Sequence, residues 1–188
     1  LDGAAGFPEE LEELLAYRMV ILSNLGAAHL SASSRAALSQ YVRAGGALLV
    51  IGGSCALGNA RTKGTDLEEM LPVKLTGPFE VLPRHGQEAC LTVPLRSGMV
   101  WMTGLAWKDS PRIYWTHRVT VLPGAKVLAY AGQDPALVAW QYGRGKVVVY
   151  VGTVEGEPAP GDLPAWEWRG WTPLWDKVLD LLLVPVNQ

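Results

Sequence analysis

The segment YRMVILSNLGAAHLSASSRAALSQYVRAGGALLVIGG, residues 17–53, decides the fold class. Tyr17 to Ser23 is a continuous apolar run and reads as a buried strand, because a strand covered on both faces has no need to alternate. Asn24-Leu25-Gly26 ends it. Ser31, preceded by Leu30, has the side chain of a helix N-cap, an oxygen that accepts from an unpaired first-turn amide. Ala36, Ala37, Leu38, Tyr41 and Val42 follow at helical spacing, and Gly45-Gly46 stops the helix. Ala47 to Ile51 is then a second buried strand, closed by Gly52-Gly53. Strand, helix and strand with short joints make a βαβ unit, which predicts parallel strands and a right-handed crossover.

Working outward, Pro8 and the run Glu9 to Leu15 predict a short helix with an acidic first turn, which suits the positive end of the helix dipole. On the other side, Ser54 to Gly64 is small and polar and reads as a loop at the C-terminal edge of the sheet. Leu67 to Leu71 predicts a short helix ended by Pro72. Between Val73 and Leu122, turns and proline separate short apolar pieces such as Met99 to Met102. Three strand-like runs then crowd together, Lys126 to Ala131, Leu137 to Tyr142 and Lys146 to Val151. The connector Tyr142-Gly143-Arg144-Gly145-Lys146 predicts a tight hairpin, so these later strands are expected to be antiparallel. Glu155 to Pro164 is a proline- and glycine-rich surface loop. A last helix, about Thr172 to Leu183, turns Leu174, Trp175, Val178, Leu181 and Leu182 toward the core.

Composition bounds the function. The 188 residues are 49% hydrophobic and 18% charged, enough apolar material for one folded domain over residues 1–188. Sixteen basic against 18 acidic residues give a net charge of −2 and no basic cluster, so nucleic acid is not an expected partner. No apolar run reaches the ~18 residues of a membrane span. Cys55 and Cys90 are too few for a disulfide framework, and His29, His85 and His117 are scattered. Neither a metal site nor a cofactor is therefore expected. The chain begins at Leu1 rather than at methionine, so a segment is expected upstream. A cytoplasmic location is favoured, and an upstream anchor or signal is compatible with the sequence.

Residues 17–53 resemble the glutamine amidotransferase-like domains of the class I superfamily, relatives of the ThuA-like trehalose-utilisation proteins. Later pieces agree in order: Leu67 to Pro72, His117-Arg118, Pro123 to Ala129, Tyr142 to Val147, and Trp171 to Trp175 opening the final helix. The resemblance implies an α/β fold, a flavodoxin-like three-layer sheet, here with added antiparallel strands in the C-terminal half. It also implies that the family's first strand and helix lie before Leu1, making this chain a fragment of a longer bacterial protein.

The candidate site residues follow from that fold. In open α/β sheets ligands gather beyond the carboxyl ends of the strands, which here carry Asn24, Gly52, Gly53, Ser54 and Cys55. The Gly52-Gly53-Ser54 amides could receive an anion, or the glycines could simply turn the chain. Class I amidotransferases resemble this edge in using a cysteine on a G-x-C-x-G turn with a later His-x-Glu pair. Gly53-Ser54-Cys55-Ala56-Leu57 keeps the first glycine and has Leu57 in place of the second. Thr153-Val154-Glu155-Gly156-Glu157 carries acids without histidine. Cysteine chemistry at Cys55 would need a nearby base, and His117 is the candidate. Of the eight tryptophans, Trp140 and Trp175 fit the core, while Trp166 and Trp168 alternate after a proline-rich loop and suit an exposed or interface role. Three readings stay open. One is a non-catalytic domain for ligand binding or assembly, meeting a small molecule or a protein through the C-terminal strand edge. The second is a cysteine-dependent amidohydrolase using Cys55, and the third a sugar-handling domain of the ThuA-like kind.

Overall fold

The computed structural model describes residues 6–78, 80–93, 102 and 104–184. Helix α1 (Leu11–Leu14) is a single turn carrying Glu12 and Glu13 at its start. It leads into β1 (Met19–Ser23), α2 (Ala32–Ala44) and β2 (Ala47–Ile51), the unit read from residues 17–53. Ser31 caps α2: its Oγ accepts from the Ser34 amide at 3.0 Å. Gly45 ends it with φ 121°, a conformation that disfavours a side chain. β1 and β2 pair in parallel, with Met19 opposite Ala47.

Next come α3 (Asp66–Glu69), β3 (Val73–Leu75), β4 (Val81–Pro83), β5 (Leu91–Thr92), β6 (Trp115–His117) and β7 (Val119–Val121). The chain finishes with β8 (Lys126–Ala131), β9 (Asp134–Tyr142), β10 (Gly145–Tyr150) and α4 (Trp171–Leu183). One sheet runs in the order β1-β2-β10-β9-β8-β5, and β3-β7 and β4-β6 form two small ribbons. β10 lies parallel to β2, whereas β9, β8 and β5 follow antiparallel to their neighbours. The predicted hairpin at Gly143-Arg144 makes the β9-to-β10 turn. The result is a mixed α/β architecture on a central mixed sheet.

Each face of the sheet has its own core. Leu38, Tyr41 and Val42 of α2 join Leu48, Val50, Val147 and Val149 on one face. Leu174, Val178 and Leu182 of α4 join Leu49, Val148 and Tyr150 on the other. The spacing of the α4 residues by four places them on one stripe, and burying each is worth about 2 kcal/mol. Lys146 Nζ donates to the carbonyl oxygens of Leu181 and Val184 at the end of α4. Burial lowers the pKa of that ammonium.

Three expectations need correction. β1 is not a strand covered on both faces. It lies at the edge of the sheet among the described strands, and Val20 and Leu22 are buried while Ile21 is 47% exposed. α1 and α2 cover one face only, and the apolar side of Ile21 disguises the alternation. The stretch Ser54 to Gly64, expected as a loop at the C-terminal edge of the sheet, is not all loop. It contains a 3-10 turn, Leu57–Ala60, with Leu57, Ala60 and Thr62 buried, and Thr62 Oγ1 accepts from the Ala27 amide. Trp168 is 2% exposed, and its ring packs on Trp107 with Nε1 donating to the Ala106 carbonyl. A proline-rich approach marked a surface loop, but the tertiary contact decided the burial. Of the piece Met99 to Met102, only Met102 lies within the described residues, and it is buried.

Candidate functional site

The C-terminal edge of β1 and β2 brings Asn24, Gly52, Gly53, Ser54 and Cys55 together as the sequence predicted, and the β6 end adds His117. Their polar groups face one another. Asn24, at φ 52°, accepts the Cys55 amide on Oδ1 at 2.7 Å. The Gly52 amide donates to the Tyr150 carbonyl at 2.8 Å. The Gly53 amide donates to His117 Nε2 at 3.2 Å. Ser54 is exposed, and its Oγ donates to Glu155 Oε1 at 3.2 Å.

Close approach explains the double glycine. A Cβ on Gly53 would stand 2.2 Å from Asn24 Oδ1, and one on Gly52 would stand 2.6 Å from the Gly152 carbonyl and 2.9 Å from the His117 ring. All three distances are well inside van der Waals contact, so the glycines let Asn24, just after β1, and His117 of β6 approach the backbone closely. They do so at the cost of an anion nest. The Gly53 and Cys55 amides, which would have to point at a developing oxyanion, are already engaged within the protein.

His117 is held from both sides. With Nε2 accepting from Gly53, the ring proton is assigned to Nδ1, which donates to Glu80 Oε1 at 2.8 Å. The same Oε1 accepts the Gly58 amide at 2.7 Å. Both side chains are sealed, at 0% and 2% exposure. Glu80 Oε2 is buried without a hydrogen-bond partner among the described residues. This Glu80–His117 pair ties the strand-edge loop, the 3-10 turn at Gly58 and β6 into one polar knot inside the protein. Inside a low-dielectric interior such a network rigidifies when satisfied. Cys55 is a half-buried free thiol, and His117, the base proposed for it, has both ring nitrogens committed elsewhere. Both ring nitrogens of His117 are therefore bonded to groups other than the Cys55 thiol.

The sequence reading missed Glu80. It stands 37 residues from His117 and 22 from Gly58, in a Gly-Pro-Phe-Glu stretch with no periodicity, and only the fold of the β4-β6 ribbon brings it in. Of the two tryptophans set apart, Trp166 is half-buried and meets Tyr114 edge-on at 5.9 Å, and Trp168 belongs to the core. Cys90 is buried as a small core residue, and His85 is exposed. Asp66 and Glu68 serve local structure: Asp66 pairs with Arg35, and Glu68 accepts the Gly64 and Leu75 amides. Among the described residues no group of three or more His, Cys, Asp or Glu is placed to hold a metal ion. No helix among them is long and apolar enough to cross a membrane.

The double-glycine strand edge sits on a mixed sheet in an α/β domain. The chain belongs to the family described as "Putative glutamine amidotransferase", whose model matches residues 2–184. The cytoplasmic protein STM3548 from Salmonella typhimurium is similar in structure, with a TM-score of 0.80 at 24% identity over 95% of this chain and 76% of that one. STM1381 from Salmonella typhimurium LT2 gives 0.76 at 23% identity over 94% and 76%. The GH42 β-galactosidase Gan42B from G. stearothermophilus gives 0.52 at 18% identity over 92% of this chain and 22% of that one. At these identities the likeness is one of fold. No curated protein matches the chain.

Proposed function

We propose that this is a non-catalytic amidotransferase-like domain that serves ligand binding or assembly within a longer protein, on a flavodoxin-like layered scaffold. One observation carries the reading: the groups that thiol catalysis at Cys55 would need are engaged internally. His117 is fixed between Gly53 and Glu80, and the Cys55 amide is fixed on Asn24. A nucleophilic cysteine requires an adjacent base and free oxyanion donors together. The same fold occupies 22% of Gan42B, which supports its use as one module of a larger chain. The names of both Salmonella proteins favour a cytoplasmic setting for this one.

The test is ammonia release from glutamine, measured with the purified chain and with Cys55→Ala. The expected result is no release above buffer for either. Turnover by the wild type that disappears in Cys55→Ala would restore the amidohydrolase reading.

A further inference from the structure

A cleft of about 350 Å³ opens between the β4-β6 ribbon and the tip of the β8-β9 hairpin, within the size range of small-molecule sites. Arg84, Glu88, His117, Arg118 and Asp134 line it, and no residue of the Gly52–Cys55 loop does. It is therefore separate from the strand-edge position where family chemistry would be sought, and His117 is the residue the two regions have in common.

The cleft's charges are built rather than scattered. Arg84 has an 8% exposed side chain. Its Nε donates to Thr116 Oγ1 at 2.7 Å, its Nη1 pairs with Asp134 Oδ2 at 2.5 Å, and its amide donates to the Tyr114 carbonyl. The guanidinium is thus locked in place at the wall of the cleft. Glu88 is positioned by its backbone: Gly132, at φ +58°, packs so closely that a Cβ there would stand 2.8 Å from Glu88 Cα. The carboxylate of Glu88 and the guanidinium of Arg118 are exposed, and neither makes an ion pair among the described residues.

Two arginines and two carboxylates leave the cleft without net charge. A ligand of a single sign would gain from one pair and be repelled by the other, whereas a ligand carrying both signs is complementary to both. We propose that this cleft binds a small zwitterion, its acidic group on Arg118 beside the fixed guanidinium of Arg84 and its ammonium on Glu88. The proposal deepens the binding-domain reading above and rests on it.

The experiment is a titration of the isotope-labelled chain followed by NMR. The zwitterionic probes are β-alanine, γ-aminobutyrate and ε-aminocaproate; glutarate serves as dianion and cadaverine as dication at matched ionic strength. At least one zwitterion should give saturable shifts at Glu88, Arg118 and Asp134, bound more tightly than either single-sign probe. Arg118→Ala and Glu88→Gln should each weaken that binding by about tenfold, the loss of one charge-assisted contact. Both side chains are exposed, so unchanged unfolding midpoints verify that the variants are folded. Glutarate binding as tightly as the best zwitterion, with Glu88→Gln neutral, would overturn the proposal in favour of a plain anion site. No saturable shift with any probe, or shifts confined to another surface, would overturn it outright. Cys55-dependent glutamine turnover would be a failure of the non-catalytic reading alone, and is scored in a separate assay.

Discussion

The strand edge at Gly52–Cys55 and the cleft at Arg84–Arg118 have His117 in common and use their polar groups in opposite ways. At the strand edge the Gly53 amide, the Cys55 amide and both nitrogens of His117 are bonded within the protein. In the cleft Glu88 and Arg118 make no ion pair among the described residues. The difference teaches where to look for a ligand in this family member. A loop in the position of an active site can be satisfied by its own fold, and the open valences then lie one strand away.

The largest effect should come from Glu80→Ala. It leaves the His117 Nδ1–H and the Gly58 amide buried without an acceptor, and breaking one side of a buried pair costs about 3 to 5 kcal/mol. Urea unfolding would measure it, and a loss under about 1 kcal/mol would mean the knot contributes little to stability. Gly53→Ala comes next. Its new Cβ meets Asn24, and overpacking of this kind costs about 1 to 3 kcal/mol. In an Asn24→Ala background the same change should cost measurably less, a non-additivity that a double-mutant cycle reads directly.

Tyr150→Phe should move stability the other way. The Tyr150 hydroxyl is buried without a partner among the described residues, so removing it should stabilise by about 1 kcal/mol at neutral pH. Burial also pushes this phenol above its ordinary range. A raised native pKa contributes stability that is present below the ordinary phenol value of ~10 and is lost as pH rises through the native one. The wild type should therefore lose stability above pH ~10, and Tyr150→Phe should flatten that decline in chemical unfolding at a series of alkaline pH values. Smallest of all, Arg118→Ala should leave the unfolding free energy within about 0.5 kcal/mol, as for an exposed side chain without an ion pair among the described residues. A larger loss would place Arg118 with the structural groups and erase the contrast between the two regions.

The sequence made the local parts of this fold legible. Ser31 as a cap, Gly45 as a stop and Gly143-Arg144 as a turn are encoded within a few residues of where they act, and the two parallel strands follow from their apolar runs. The edge position of β1 was hidden because Ile21 is as apolar as its buried neighbours, and exposure depends on what packs beside it. The candidate site was legible as a place but not as a chemistry. Asn24, Gly53 and Cys55 were gathered correctly, while Glu80, which decides the state of His117, enters through a long-range ribbon that no periodicity announces. Trp168 shows the same limit in reverse, since its burial depends on Trp107 and Ala106, some sixty residues away in sequence.

The most direct test of the account is a long-range nitrogen–proton NMR correlation on the His117 ring, recorded before and after Cys55 is alkylated. The account predicts a proton on Nδ1, an Nε2 that accepts from the Gly53 amide, and a pattern unchanged by alkylation. A proton on Nε2, or ring signals that shift strongly when Cys55 is modified, would show His117 serving the thiol and would contradict the non-catalytic reading.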